Sequence, residues 1–289
     1  MPHLQASTAT PAAELFYQDL NPDGAAGTVV LIHGWPLSQS MFEPQLFPLT
    51  EAGYRVVSYD RRGFGSSAFT AGGYDYDTFA ADLHDLLSEL DLADVHLVGF
   101  SMGGGELARY VARFGTDRVA SLTFMSSVFP YMLQTDDNPG GVPQGVFEDM
   151  KAGLKADRPA FLEQFGKTFV NYDALSDKVS GPLLHYHWSI AVGAQPQATV
   201  DCVDAFGRTD FRPDAAKIDV PTLFIHGDDD EIVPFEASAQ PGSRLVAGSR
   251  VYTVAGGPHG LNHTHADEVN GALLAFLADP ARATVGEPA

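Results

Sequence analysis

The sequence holds a single cysteine, Cys202, among 289 residues. One thiol cannot close an intramolecular disulfide, so a disulfide scaffold is excluded, and so is a cysteine-rich metal site. Nothing around Cys202 marks it as a nucleophile, and it reads as a small apolar filler. Basic residues are also scarce: Lys and Arg number 17 against 37 Asp and Glu, a formal charge of −20. So acidic a chain repels phosphate backbones and anionic bilayers, so neither nucleic acid nor membrane is expected as a partner. No apolar run approaches the ~18 residues that a membrane span needs. Residues 1–13 carry no basic cluster and no apolar stretch, so no secretory leader is expected and a cytoplasmic location follows by default. Both 1–13 and the Ala- and Pro-bearing 279–289 read as flexible tails. There is no Walker-type Gly-Lys-Ser/Thr and no dinucleotide fingerprint, so no nucleotide cofactor is expected. His185 and His187 lie two apart without a third ligand nearby, a weak zinc candidate, and no metal is expected.

What the chain does have is core. Hydrophobic residues make up 45% and aromatics 11%, enough to exclude disorder as its main state. Short runs rich in Val, Ile and Leu at 28–32, 55–59, 95–100, 119–125, 222–226 and 250–254 read as buried strands. Residues 14–20 read as an earlier antiparallel edge strand. Between the strands lie helical patterns. Over 78–92, Phe79, Leu83, Leu86, Leu87 and Leu90 repeat with the helical period, and further helices are expected over 101–114 and 266–277. Strands alternating with helices predict an α/β fold, a mostly parallel sheet with helices on both faces. The alternation stops between about 130 and 213. Helix-like segments at 145–155, 159–169, 181–191 and 195–206 replace it, which predicts a helical insertion covering the strand ends.

The chemistry collects where strands end. Gly99-Phe100-Ser101-Met102-Gly103 follows a strand and opens a helix, the context of a nucleophile elbow. A serine on so tight a turn needs neighbours without bulk, and the glycines supply that. The hydroxyl is a weak nucleophile unless a base takes its proton and an acid orients the base. Downstream, one strand runs into His226-Gly227-Asp228-Asp229-Asp230 and the next into Gly256-Gly257-Pro258-His259-Gly260. Both would project at the carboxyl edge of a parallel sheet, where such sheets bind ligands. Ser101, one of the three aspartates and His259 thus form a candidate triad. Asp230 is preferred because it lies deepest in the turn, with Asp228 second. His259 is favoured over His263 and His265 by its flanking Pro and Gly, and His226 receives no role. Acyl transfer also needs two N–H donors for an oxyanion. The amide of Met102 follows the nucleophile; the amide of Trp35, in His33-Gly34-Trp35-Pro36 after the first buried strand, is the second candidate. Asp60-Arg61-Arg62-Gly63 reads as structural, with Arg paired to Asp60, rather than as a phosphate site.

These residues, together with Tyr59-Asp60-Arg61-Arg62-Gly63-Phe64-Gly65, the run Gly99 to Glu106, Phe129-Pro130-Tyr131-Met132 and Thr209-Asp210-Phe211-Arg212-Pro213-Asp214, resemble the α/β-hydrolase fold. Within it they resemble the cofactor-free bacterial haloperoxidases and aryl esterases, over about residues 26–278. The resemblance implies a core formed by 14–129 and 214–278 and a helical cap formed by 130–213. It implies a Ser101–Asp230–His259 triad with Trp35 and Met102 as oxyanion donors, and no metal, haem or other cofactor. It also implies two activities in one pocket: ester hydrolysis, and formation of a peracid from a short carboxylic acid and hydrogen peroxide, which then oxidises halide off the enzyme. Pro36 beside the oxyanion residue is similar to the arrangement in members that favour peroxide. The acyl pocket is expected to be small and apolar, lined by Trp35, Pro36, Met102, Phe129 and Tyr131. Expected partners are a small ester or carboxylic acid with water or hydrogen peroxide. Self-association is common among such proteins, although no interface is legible. A lactonase or carbon–carbon bond hydrolase on the same triad is the alternative, ahead of a non-catalytic binding protein. Serine at the elbow speaks against the aspartate-dependent epoxide hydrolases and dehalogenases.

Overall fold

The computed structural model describes residues 2–281. Eight strands form one sheet: β1 (His3–Ala6), β2 (Ala13–Leu20), β3 (Thr28–Ile32), β4 (Arg55–Tyr59), β5 (Val95–Phe100), β6 (Val119–Met125), β7 (Thr222–Gly227) and β8 (Arg250–Val254). Their order across the sheet is β1-β2-β4-β3-β5-β6-β7-β8. From β4 onward the neighbours are parallel; β1 and β2 are antiparallel additions at one end. The helices are α1 (Glu43–Glu51), α2 (Tyr76–Glu89), α3 (Met102–Phe114), α4 (Gln144–Phe169), α5 (Gly181–Gly193), α6 (Pro196–Arg208), α7 (Arg212–Ala215), α8 (Ala239–Leu245), α9 (Leu261–Thr264) and α10 (Ala266–Ala278). This is the α/β-hydrolase architecture, with a helical insertion between β6 and β7. Among the described residues, no helix is long and apolar enough to cross a membrane.

The elements begin and end for local reasons. Helix α2 starts two residues before the expected 78 because Asp75 caps it, its carboxylate accepting from the Thr78 amide at 2.9 Å. Helix α3 ends at Gly115, whose φ of 78° takes the chain out of the helix. The expected pair of helices at 145–155 and 159–169 is present as one bent element, α4, broken at Asp157 (φ −151°, ψ 87°) ahead of Pro159. β3 and β5 are wholly or almost wholly buried, as their mainly apolar runs require, and the one imidazole in β5, His96, meets Ser121 Oγ at 2.8 Å.

Three expectations need correction. Part of 1–13 is not a tail: His3–Ala6 pairs with β2, burying Leu4 and Ala6 in the core. The sequence hides this strand because it is too short to show an alternating pattern. In consequence the strand expected at 14–20 is not an edge. At the other end β8, expected to be buried, is the edge strand, with residues exposed in alternation and Val251 39% accessible. The expected tail at 279–289 lies mostly outside the described residues.

The motif Asp60-Arg61-Arg62 is structural, but not through an Arg–Asp60 pair. Arg61 meets Glu106 of α3 at 2.7 Å, and Arg62 forms a two-pronged pair with Asp82 of α2 at 2.6 and 2.7 Å, all four side chains fully buried. Asp60 instead accepts the amides of Gln39 and Ser66. Arg61 also donates to the carbonyl of His33, and its own amide is accepted by His33 Nε2. Removing one partner of such a buried pair strands a charge, so this network fixes the loop after β3 to the helix after β5.

Candidate active site

Ser101 stands between β5 and α3 with φ 50° and ψ −116°, a conformation that L residues rarely adopt. The turn is held by hydrogen bonds from its amide to Met125 O (2.8 Å) and from the Gly104 amide to its carbonyl (3.0 Å). The flanking glycines are required by close approach. A β-carbon at Gly99 would lie 2.6 Å from Gly103 O, and one at Gly103 would lie 2.3 Å from Ile32 O. No side chain fits either place, which is the physical content of the Gly-x-Ser-x-Gly spacing.

The structure brings Ser101, His259 and Asp230 together. His259 Nε2 lies 2.9 Å from Ser101 Oγ, and His259 Nδ1 lies 2.8 Å from Asp230 Oδ2. The carboxylate only accepts, so the imidazole carries its proton on Nδ1 and leaves Nε2 free to accept from the serine hydroxyl. Burial alone would raise the Asp230 carboxyl. Electrostatic attraction to the adjoining His259 ring and hydrogen bonds from His226 and His259 outweigh that and hold it well below the usual carboxylate range. Its other oxygen, Oδ1, accepts the amides of Ile232 (3.0 Å) and Val233 (2.8 Å). Asp228 faces away, accepting from the Gly256 amide, and Asp229 accepts from Asn171. Of the three aspartates, only Asp230 can orient His259.

His226, which sequence reasoning left without a role, is the second imidazole at Asp230. Its Nε2 lies 2.8 Å from Val233 O and 3.3 Å from Asp230 Oδ2. A carbonyl only accepts, so Nε2 carries the proton and presents it to both oxygens. The signal was its place at the end of β7, four residues before Asp230. The loop carrying His259 is also gripped from above. The Gly260 amide donates to Phe169 O at the end of α4 (2.6 Å), and the Phe169 ring stands edge-on to His259 at 5.2 Å. The rival His263 instead meets His187 of α5, Nε2 to Nε2 at 3.1 Å. Burial lowers His187 to about 4. Among the described residues no group of three or more ligating side chains could hold a metal.

Met102 is the first residue of α3, so its amide has no carbonyl within the helix to bind and points out of the N-terminus. Trp35 follows Gly34, where an added β-carbon would lie 2.7 Å from the Phe100 ring, so this loop is pressed against the elbow. The Trp35 indole N–H donates to Thr199 O of α6 at 3.1 Å, tying the same loop to the inserted helices. The cavity over Ser101 and His259 measures ≈ 40 Å³. Trp35 lines it, with Val128, Met132, Phe147, Met150 and Phe206 among the walls, and no Asp, Glu, Lys or Arg does so among the described residues. The other four expected lining residues do not, and the Met102 side chain is fully buried away from it. Pro36 faces a separate crevice beside Phe165 and Phe169. Phe129 is fully buried, stacked on Phe124 and packed against Phe224 in the core. Tyr131 lies under the Arg212 guanidinium, 4.9 Å from its ring centre.

A family model described as the alpha/beta hydrolase fold matches residues 27–266. A non-heme chloroperoxidase from Kitasatospora aureofaciens is 42% identical over 272 residues, spanning 93% of this chain and 98% of the relative. A bifunctional esterase/perhydrolase from Acinetobacter calcoaceticus is 36% identical over 271 residues, again 93% of this chain and 98% of the relative. The crystal structure of a bromoperoxidase from Bacillus anthracis matches with a TM-score of 0.91 at 48% identity, covering 96% of this chain and 100% of that one. With the elbow, the sheet order and these relatives in hand, the chain belongs to the α/β-hydrolase fold family, in its non-haem haloperoxidase branch, and is an esterase-like enzyme.

Proposed function

We propose that this enzyme cleaves small carboxylic esters through an acyl-enzyme on Ser101, and that hydrogen peroxide can replace water to give a peracid. The observation that carries the reading is the continuous relay from Ser101 Oγ through His259 to Asp230, at 2.9 and 2.8 Å. His259 Nε2 takes the hydroxyl proton as Oγ attacks the ester carbonyl. Asp230 stabilises the imidazolium that results. The amides of Trp35 and Met102 receive the oxyanion. The alcohol leaves with the proton from His259. Water, or peroxide, then attacks the acyl group with His259 as base, releasing acid or peracid. Run from a free acid, acylation expels water instead of alcohol. Released peracid oxidises halide to hypohalous acid in solution. The small, uncharged cavity supports short apolar acyl groups. The likeness to a bifunctional esterase/perhydrolase supports the second nucleophile.

The test is a panel of short aryl esters, lactones and a peroxide-dependent bromination assay, on the wild type and on Ser101→Ala. Ester cleavage and bromination should both fall at least about 10⁴-fold in the variant, as for loss of a triad nucleophile elsewhere. Near-wild-type turnover by Ser101→Ala would reject the reading. A preference for lactones over open esters would redirect it to the alternative.

A further inference from the structure

We propose that Met132 and Met150 are a modification site, whose thioethers are oxidised to sulfoxides by peracid formed at Ser101. The inference rests on the peracid reading above and names a way in which that site limits itself. The chain has six methionines. Met132 and Met150 line the cavity that also holds Ser101 and His259. Met41, Met102 and Met125 are fully buried and do not line it. Met132 is only 2% exposed, so an oxidant reaches its sulfur chiefly by way of that cavity. The competing thiol, Cys202, is fully buried outside the cavity, and burial keeps it protonated by pushing its titration up.

The step balances without a further reagent. The sulfur lone pair attacks the distal oxygen of the peroxycarboxylic acid and the O–O bond breaks. The peroxy proton passes to the departing carboxylate oxygen. Sulfur is oxidised by two electrons, the peroxy group is reduced, and the products are the sulfoxide and the parent acid. A newly formed peracid faces these sulfurs before it reaches solvent, at a local concentration far above the bulk value. Each sulfoxide then puts a strong dipole into a wall whose other side chains, Ser101 and His259 apart, are mainly apolar. A buried polar group without a partner costs on the order of 1 kcal/mol or more, so KM for a short aryl ester should rise about fivefold or more.

The experiment incubates the whole enzyme with acetate and hydrogen peroxide, follows peracid by iodide oxidation and locates added oxygen by peptide mass spectrometry. Met132 and Met150 should gain oxygen before Met41, Met102 and Met125, roughly tenfold faster than with peroxide alone, through that local concentration. Ser101→Ala with acetate should show only the peroxide-alone rate. The double variant Met132→Leu with Met150→Leu should retain a larger fraction of its own starting activity over the same exposure. If peracid accumulates while both methionines stay thioethers, or all five methionines oxidise alike, the inference is overturned and the peracid reading stands. If esters are cleaved but no peracid forms, the peracid reading falls and takes the inference with it.

Discussion

At the carboxyl ends of β5, β7 and β8 the side chains proposed to react are held by hydrogen bonds, whereas α4 and α6 present mainly aromatic rings and a thioether to the same cavity. Asp230 alone accepts from His259, His226 and two backbone amides. Phe147, Met150 and Phe206 accept and donate nothing there. The two regions are built for different work. Directional bonds fix a proton path to within tenths of an ångström, while apolar packing sets a volume and a polarity and tolerates exchange among side chains of similar size. Substitutions at the strand ends should therefore move kcat by orders of magnitude. Substitutions in the inserted helices should move KM or stability by much less.

The largest contrast is between two neighbouring carboxylates. Asp230→Asn should lower kcat by about 10⁴, because an amide at this place leaves His259 in the wrong tautomer. Asp228→Asn, at a carboxylate that accepts from the Gly256 amide rather than from His259, should stay within about threefold. Steady-state kinetics on an aryl ester decide it, and equal losses would erase the distinction between the two positions. A smaller effect is expected at His226. Phenylalanine there removes a donor from Asp230 and leaves Val233 O without its partner, so kcat should fall about 10- to 100-fold with KM little changed. His226→Gln keeps an N–H and should recover part of the loss. A KM effect in place of a kcat effect would move His226 out of the proton path and into the pocket.

Much of the strand-end arrangement was legible in the sequence, and the reason is physical. A nucleophile elbow leaves no room for a side chain at Gly99 or Gly103, and a triad residue must follow a strand, so both appear as short local patterns. Choosing Asp230 over Asp228 was a close decision on sequence, because three consecutive aspartates differ only in the direction the turn gives each one. The cavity wall was much less legible. Phe129 and Tyr131 were natural candidates next to the insertion, yet Phe129 is spent on an aromatic stack and Tyr131 on Arg212. The residues that line the cavity, such as Phe147, Met150 and Phe206, come from positions where one helical face turns inward. A helix with apolar residues on several sides does not announce which face that is. The short β1 and the Arg61–Glu106 pair were missed for a related reason: both depend on partners distant in sequence.

The last expected effect belongs to the insertion and concerns stability rather than turnover. His187 has an ordinary value of 6.5, lowered by burial to about 4. Between those values the unfolded chain binds a proton that the folded chain excludes, so stability should fall as the pH drops through that window. The share traceable to His187 is at most roughly 3 kcal/mol. His187→Leu should flatten the dependence, read as urea midpoints at either end of the window. An unchanged slope would assign the acid sensitivity to other groups, His263 first among them.

The grip of Phe169 on the loop after His259 has a consequence for anyone wishing to re-engineer substrate range. Exchanging the insertion for that of another hydrolase also exchanges the carbonyl that anchors Gly260 and the ring that abuts the imidazole. A chimaera built across this seam inherits a proposed base, His259, whose support was shaped for a different roof. Under the proposed mechanism, selectivity and proton transfer are thus joined at one residue, and successful grafts should be those that preserve an aromatic side chain and its carbonyl at that seam.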